Sequence, residues 1–356
     1  MTTSVFDNPL LSRLFAGEQS RGYFSAGADL RAMLAFEGAL ARVQGRLGII
    51  PRASGEHISD AMSGFSPDVA SLAKRAADDG VTVPALVWQL RRHVGPDHAP
   101  FVHYGATSQD AVDTSLMLRL QAFLAQVSVE IAAVDKAMAG LEARFGERTL
   151  MGRTRMQSAI AITVADRIAS WRQPLARHAT AIDGLRSWAL AIQFGGAAGT
   201  LETFGDKGAA LRKELAGELG LADTAQWHSQ RDRIVAMGDC LARLAGSLGK
   251  FGQDIGLMAQ AGDEIKLSGG GSSSAMAHKQ NPVQAEILVT LARFAAGQVA
   301  LLHQAMLHEQ ERSGAAWSLE WMVLPQICAA AAASLAKAQA LAASITDLGG
   351  PADLHA

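Results

Sequence analysis

Residues 269–282 read GGGSSSAMAHKQNP and lie between two long stretches of apolar residues that recur at helical spacing. The three consecutive glycines permit backbone conformations that other residues avoid. Pro282 suits the first turn of a following helix, and Asn281 is placed to cap that helix. Composition alone therefore predicts a flexible linker that ends in a helix cap. That interpretation does not explain why Ser273 and Lys279 occur in this order within the segment.

Long helices are predicted on both sides of this segment. Apolar residues recur with a helical period through five runs, 108–147, 157–194, 226–267, 282–312 and 324–345. Strand signals are nearly absent, and the composition, 49% hydrophobic with only 6% aromatic residues, favours closely packed helices. Helices longer than about 25 residues are typical of an extended bundle or an oligomer core. The chain is therefore predicted to be all-α.

The domain organisation follows from where these long runs begin and end. The earlier part of the chain reads as short helices interrupted near Pro51, Pro67 and Pro96. We predict a smaller N-terminal helical domain, a central bundle of five long helices and a short C-terminal tail, over residues 1–105, 106–346 and 347–356. A short amphipathic helix is expected between the second and third long runs, at the sequence KGAALRKELAGELG.

Charge and hydropathy exclude several classes of partner. Lysine and arginine number 32 against 34 acidic residues, so the net charge of -2 provides no excess of positive charge for nucleic acid. No uncharged apolar stretch reaches the roughly 18 residues of a membrane span, and the N-terminus has no leader-peptide pattern. Cys240 and Cys328 lie in apolar helical patterns, as reduced, buried thiols do. We expect a cytoplasmic protein without nucleic-acid or membrane partners.

The sequence also lacks the usual patterns that bind metals or nucleotide cofactors. The histidines form no H-x-x-H or H-E-x-x-H spacing, and the two cysteines form no C-x-x-C. A glycine-rich phosphate-binding loop of either common type is also missing. We therefore expect no metal and no cofactor.

Three segments of the chain resemble the fumarase/aspartase superfamily, which includes argininosuccinate and adenylosuccinate lyases. Residues 273–282, SSAMAHKQNP, are similar to its S-S-x-M-x-x-K-x-N-P signature. Residues 103–110, HYGATSQD, and residues 152–157, GRTRMQ, resemble two further blocks of the superfamily in the correct order. The resemblance implies a central bundle of five long helices per subunit, assembled as a homotetramer whose active sites draw on three chains.

Departures from the superfamily pattern narrow the predicted activity. Arg155 stands where the lyases usually carry histidine in a G-R-T-H-x-Q block, and Val83 and Pro84 replace a His-Asp pair of adenylosuccinate lyases. Together with residues 308–326, HEQERSGAAWSLEWMVLPQ, these changes resemble the bacterial 3-carboxy-cis,cis-muconate cycloisomerases. That family catalyses a lactonisation in protocatechuate breakdown, so the resemblance implies a small tricarboxylate substrate.

Lactonisation explains the missing histidine on chemical grounds. The nucleophile is a carboxylate of the substrate itself, which with a pKa of about 4 is already ionised at neutral pH. The protein must stabilise the charge that develops on a neighbouring carboxylate and deliver one proton to carbon. The resemblance assigns the proton transfer to Ser273, and Lys279 would stabilise the alkoxide that remains. These two residues are the predicted catalytic groups.

The other predicted site residues bind substrate. The resemblance and the charge of the substrate imply this role for His103, Thr107, Ser108, Arg153, Arg155, Gln157, Ser274, Met276, Asn281, Glu286 and Arg312. Thr107 and Ser108 also stand where the first long helix needs an N-cap. Arg155 and Glu286 are also candidates for a structural ion pair. Guanidinium groups nevertheless suit a substrate with three carboxylates.

Two other functions stay open at this point. One is an adenylosuccinate-type lyase that releases fumarate, which the 273–282 signature favours and Arg155 disfavours. The other is a catalytically silent helical scaffold, against which the presence of Ser273, Lys279 and Asn281 argues.

Overall fold

The N-terminal part of the protein is helical, as predicted. The computed structural model describes residues 4–15, 20–272, 275–276 and 280–350. The first helices are α1 (Ser12–Phe15), α2 (Ser20–Tyr23), α3 (Ala26–Arg46), α4 (Arg52–Gly64), α5 (Val69–Asp79) and α6 (Val83–Val94), followed by a 3-10 turn at Ala99–Phe101. Ser25 and Asp68 start α3 and α5, because each side chain accepts a backbone N–H of the first turn.

Five long helices form the body of the protein and confirm the predicted all-α class. They are α7 (Ser108–Phe145), α8 (Val164–Trp188), α10 (Asp232–Ala261), α11 (Val283–Gln304) and α12 (Ala315–Ser344). The short amphipathic helix predicted between the second and third of them is α9 (Gly208–Leu219), which follows a 3-10 turn at Glu202–Lys207. α10, α11 and α12 pack on one another, and α7 packs on both α8 and α12.

The predicted start of the second long helix is wrong, because that helix does not begin near residue 157. Gln157–Thr163 instead form strand β2, which pairs antiparallel with β1 (Thr149–Thr154). α8 begins only at Val164, where Thr163 and Asp166 form a capping box that starts the helix. The capping box therefore separates the hairpin from the helix.

The tip of this hairpin is a two-residue turn at Arg155 and Met156. Their φ angles are 47° and 68°, in the left-handed region that such turns require and that glycine or asparagine usually occupies. Both side chains are exposed. Non-glycine residues in this region cost energy and cluster at functional sites, so the turn is a candidate for a function beyond joining two strands.

Short strands also end two of the predicted helical runs. α10 stops at Ala261 and is followed by β3 (Ile265–Leu267), which pairs antiparallel with β6 (Ile345–Leu348). β4 (Gly271–Ser272) pairs with β5 (Gln280–Asn281) across the base of the 273–282 signature. The last two long helices also differ from prediction, since α11 ends at Gln304 and α12 begins earlier, at Ala315.

A continuous apolar core joins the N-terminal helices to the bundle. Phe36 and Leu40 of α3 are buried in the same cluster as Met117 and Phe123 of α7. Contacts of this kind fix the position of α3 against α7. The division of the chain at residue 105 stays a prediction.

Helices α7, α11 and α12 are long and apolar enough to cross a membrane by length and composition alone. In the bundle they pack on neighbouring helices, but to different extents. Of the most apolar 18-residue window, 61% is buried in α12 and only 33% in α11. α11 therefore leaves much of its apolar surface uncovered in a single chain.

Candidate active site

α7 separates two groups of the predicted site residues. His103 and Thr107 precede its first residue, whereas the hairpin that carries Arg153 and Arg155 follows its last residue. At a rise of 1.5 Å per residue, the 38 residues of α7 span about 57 Å. The 6 residues of β1 can return over only about 20 Å of that length. The two groups therefore cannot contact the same small substrate within one chain.

At the N-terminal end of α7, His103 is held by a buried carboxylate. Its Nδ1 donates a hydrogen bond of 2.6 Å to Oε1 of Glu37 in α3, and 11% of the imidazole side chain is exposed. Burial opposes the charged imidazole, but the attraction and hydrogen bond of Glu37 outweigh it and raise the pKa of His103. Asp110 adds to the rise. The cationic form of His103 is therefore favoured.

Asp110, in the first turn of α7, organises the segment that faces this end of the helix. Its Oδ1 accepts hydrogen bonds from the Gly195 N–H at 2.9 Å and from His228 Nε2 at 3.0 Å. Its Oδ2 accepts the N–H groups of Gly196 and Thr107, both at 3.0 Å. The carboxylate thus starts α7 and anchors a glycine-rich loop at once.

Arg312 lies at the same end of the bundle. Its Nε donates to Oε1 of Gln109 at 3.1 Å, and its Nη2 donates to the Ala197 carbonyl at 3.0 Å. Thr107 is the N-cap residue of α7 and Ser108 is its first helical residue, so both have the structural role that their sequence positions indicate. These contacts bring Arg312 together with Thr107 and Ser108, close to the segment that carries His103.

A buried network of charges supports this end of the bundle. Arg231 donates to Asp113 at 2.6 Å and to Glu320 at 2.8 Å, and each of the three side chains is at most 2% exposed. The indole N–H of Trp317 donates to Asp113 at 3.0 Å. His308, in the loop that also carries Arg312, lies 3.4 Å from Glu320. The network connects α7, the start of α10 and α12.

At the opposite end of α7, Arg153 has a structural partner. Its Nη1 lies 2.6 Å from Oε2 of Glu264, a carboxylate that is 4% exposed and also accepts the Met151 N–H. Arg155, by contrast, forms no ion pair with Glu286 within one chain, although the structure describes both residues. Glu286 instead lies exposed in the first turn of α11, where a negative charge stabilises the helix N-terminus.

The 273–282 signature is only partly within the described residues. Ser273, Ser274 and Lys279 lie outside them, and their assignments stay predictions. Asn281 is in β5 and donates from Nδ2 to the Gly271 carbonyl at 3.3 Å. It does not cap α11 as the sequence suggested, because Pro282 occupies the N-cap position.

Two further predicted residues lie on exposed surface near this end. Met276 is 44% exposed, and Gln157, the first residue of β2, is also exposed. Arg155 is exposed as well, whereas Asn281 lines a cavity at the base of the signature with Gly271. The predicted residues that the structure describes therefore divide between two partial sites, one toward each end of α7.

Sequence reasoning missed the residues that hold the first partial site. Glu37, Asp113 and Arg231 are charged residues buried among apolar side chains. The only sequence signal for Glu37 is a carboxylate on the apolar face of a predicted helix, in LAFEGAL. A charge at such a position is rare unless it is paired, and this signal indicates a partner without identifying it.

Comparison with known proteins agrees with the predicted fold and family. A family model described as Lyase matches residues 18–300. A 3-carboxy-cis,cis-muconate cycloisomerase from Pseudomonas aeruginosa is 39% identical over 339 residues, which cover 93% of this chain and 74% of that protein. A nitrosuccinate lyase from Streptomyces davaonensis is 38% identical over 345 residues, which cover 90% of this chain and 71% of that protein.

The solved structures give the same result. The crystal structure of 3-carboxy-cis,cis-muconate lactonizing enzyme from Pseudomonas putida matches with a TM-score of 0.90 and 35% identity, over 96% of this chain and 77% of that one. Fold and site thus define an all-α enzyme of the fumarase/aspartase class. The chain belongs to the lyase family, which confirms the resemblance carried by its three sequence blocks.

Proposed function

We propose that the protein is a 3-carboxy-cis,cis-muconate cycloisomerase, which forms 4-carboxymuconolactone in protocatechuate breakdown. The observation that carries the proposal is Arg155, displayed at the tip of the hairpin where the superfamily pattern has histidine. A guanidinium stays protonated in proteins, so this block offers a fixed positive charge and no acid or base. Three relatives named for this reaction are 36% to 39% identical to the chain.

Lactonisation requires the protein mainly to orient the substrate and to supply positive charge. A carboxylate oxygen of the substrate attacks an alkene carbon, and the electron pair of the alkene moves toward a conjugated carboxylate. His103 and Arg312 bind carboxylates of the substrate at the N-terminal end of α7, and Arg155 supplies a further cation. Ser273 delivers the proton to carbon, and the ammonium of Lys279 stabilises the resulting alkoxide.

We also propose that the enzyme is a homotetramer whose sites combine the two ends of α7 from different subunits. The length of α7 supports this arrangement, because neither partial site holds all the predicted groups. The exposed apolar surface of α11 suits a subunit interface. Cys240 and Cys328 are free, buried thiols, which agrees with the proposed cytoplasmic location.

The reaction is tested most directly by assaying one preparation with three compounds. We expect ultraviolet absorbance to fall with 3-carboxy-cis,cis-muconate and to stay constant with adenylosuccinate and nitrosuccinate.

Arg155→His should lower kcat/KM for the tricarboxylate by roughly 10-fold to 100-fold, because a charge-assisted contact is lost. It should gain no elimination activity. Arg52→His, at an arginine with 79% side-chain exposure in α4, serves as the matched control and should keep wild-type kinetics.

Two outcomes would contradict this proposal. Release of an unsaturated dicarboxylate from adenylosuccinate or nitrosuccinate by the wild-type protein, without lactonisation, would assign it to the eliminating lyases. Turnover of none of the three compounds would favour the silent scaffold.

Shared sites predict that two inactive variants restore activity when they assemble together. In the sequence Lys279 immediately precedes β5 and so comes before α11, whereas Arg312 follows α11, a helix of 22 residues or about 33 Å. Lys279→Met and Arg312→Ala, unfolded and refolded as a mixture, should recover about a quarter of the wild-type activity, because each site draws the two residues from different chains. Each variant refolded alone is the control. Mixed tetramers, confirmed by mass spectrometry, that stay inactive would exclude sites shared in this way.

A further inference from the structure

Glu37 is a buried carboxylate with one oxygen that has no hydrogen-bond partner among the described residues. It is 2% exposed and lies in α3 between Phe36 and Leu40, which are both fully buried. Oε1 accepts the hydrogen bond from His103, whereas Oε2 is buried without a hydrogen-bond partner among the described residues. A buried carboxylate with an unused oxygen is costly unless a nearby cation compensates its charge. His103 is the side chain in position to supply that cation.

The backbone around His103 is constrained to make this contact. His103 itself has a φ of 59°, in the left-handed region that non-glycine residues avoid. The next carbonyl, that of Tyr104, accepts a 2.8 Å hydrogen bond from Gln44, two turns beyond Glu37 on α3. Gly105 then packs so closely on Phe204 that a Cβ would lie 2.2 Å from the ring. Strain of this kind persists where the surroundings impose it and is concentrated at functional sites.

Charged groups reach His103 from three helices. Glu37 of α3 and Asp110 of α7 favour the imidazolium, whereas Arg91 of α6 opposes it. Arg91 is turned partly toward the backbone, since its Nη2 donates to the Val102 carbonyl at 3.3 Å. The two carboxylates prevail, and the pKa of His103 is raised despite its burial.

We propose that Glu37 is a positioning residue that fixes His103 as a cation with Nε2–H directed to a carboxylate of the substrate. The hydrogen bond from Nδ1 means that a neutral His103 would carry its proton on Nδ1 and present a lone pair at Nε2. A lone pair repels a carboxylate, whereas the imidazolium donates to it. Loss of one proton thus converts a binding group into a repelling one. This inference rests on the proposed tricarboxylate chemistry, and it assigns Glu37 a role in substrate affinity.

The sign of the pH dependence follows from this arrangement. The cation is fully present below the ordinary histidine pKa of about 6.5 and is lost as pH rises through the raised pKa of the folded enzyme. In Glu37→Gln the amide keeps a hydrogen-bonding side chain but removes the negative charge. We expect the pH at which KM begins to rise to move down by about 1 to 3 units, the effect of one adjacent opposite charge. KM at slightly alkaline pH should rise roughly 10-fold or more, while kcat changes less.

Glu218→Gln is the matched control. Glu218 of α9 pairs with Arg42 and Arg46, which lie on α3 as Glu37 does. It is not among the charged groups that shift the pKa of His103. The variant should leave the KM profile in place. A KM profile of Glu37→Gln that coincides with the wild-type profile would overturn the proposal.

The titration of His103 can be measured without substrate. In wild-type enzyme containing carbon-13-labelled histidine, the resonance that disappears in His103→Gln should titrate above the ordinary histidine pKa. Titration at or below that value would overturn the proposal, even if Glu37→Gln does not fold. A wild-type enzyme that converts no muconate would refute the proposed function while the titration still decides the state of His103.

Discussion

Arg231→Met is expected to lower the free energy of unfolding by about 3 to 5 kcal/mol, because it leaves two buried carboxylates without their shared cation. Arg231 contacts Asp113 and Glu320 through four hydrogen bonds of 2.5 to 3.2 Å. All three side chains are buried, so water cannot replace the guanidinium without opening the structure. Chemical unfolding at a fixed protomer concentration measures the loss and avoids confusing it with dissociation of subunits.

Arg46→Met is the matched control for that measurement. Arg46 also pairs with a carboxylate, Glu218, but its side chain is 43% exposed. Exposed pairs contribute about 0 to 1 kcal/mol, so this variant should unfold almost as the wild type does. Equal losses in the two variants would show that the buried network is no more important than a surface pair.

A combined variant separates the cost of an orphaned charge from the value of the network. Arg231→Met with Asp113→Asn and Glu320→Gln removes the cation and both anions together. We expect the triple variant to lose less stability than the three single losses added, because no unpaired buried charge remains. A strictly additive result would contradict this account of the network.

The long helices could be predicted because their signal is local. Apolar residues at a period near 3.6 identify a helix wherever the run is long, and all five long runs were found. The same periodicity misplaced several of their ends, because the predicted runs extend past α10 and α11 and begin too late for α12. Ile265 and Leu267 continue the apolar pattern after α10, yet they form β3, because pairing with β6 is decided by residues about 80 positions away.

The hairpin after α7 could not be predicted because its turn uses unusual residues. Two-residue hairpin turns are usually marked by asparagine and glycine, whereas this turn is Arg155-Met156. Its left-handed conformation is imposed by the pairing of β1 with β2. The departure from the usual turn chemistry coincides with the residue that distinguishes this chain from the histidine-bearing lyases, as expected where function overrides local preference.

Only the residues that lie inside sequence motifs could be predicted for the candidate site. The block at residues 103–110 located His103 and Thr107, and the C-terminal segment located Arg312. Their partners were missed because the contacts are distant in sequence. Glu37 lies 66 positions before His103, and Arg231 lies 118 positions after Asp113. Spacing within a motif carries no information about such pairs.

Ser273→Ala is expected to lower kcat by roughly 10²-fold to 10⁴-fold, the usual contribution of a positioned proton donor. The alanine removes the hydroxyl that would deliver the proton to carbon. The assembly should survive the change, because Gly271 and Ser272 remain paired with Asn281 and Gln280 at the base of the loop. Steady-state kinetics with 3-carboxy-cis,cis-muconate, together with the mass of the assembly in solution, measure both expectations.

The neighbouring serine provides the control for this prediction. Ser272→Ala makes the same chemical change one position earlier, at an exposed side chain in β4, and should retain the wild-type kcat. If Ser273→Ala kept the wild-type kcat, the proton would have to come from another group, and the ammonium of Lys279 would be the next donor to test.

Lys279→Met should also lower kcat more than it raises KM, because the charge that the ammonium stabilises develops only near the transition state. If Lys279→Met changed KM alone, the ammonium would bind the substrate without stabilising the transition state.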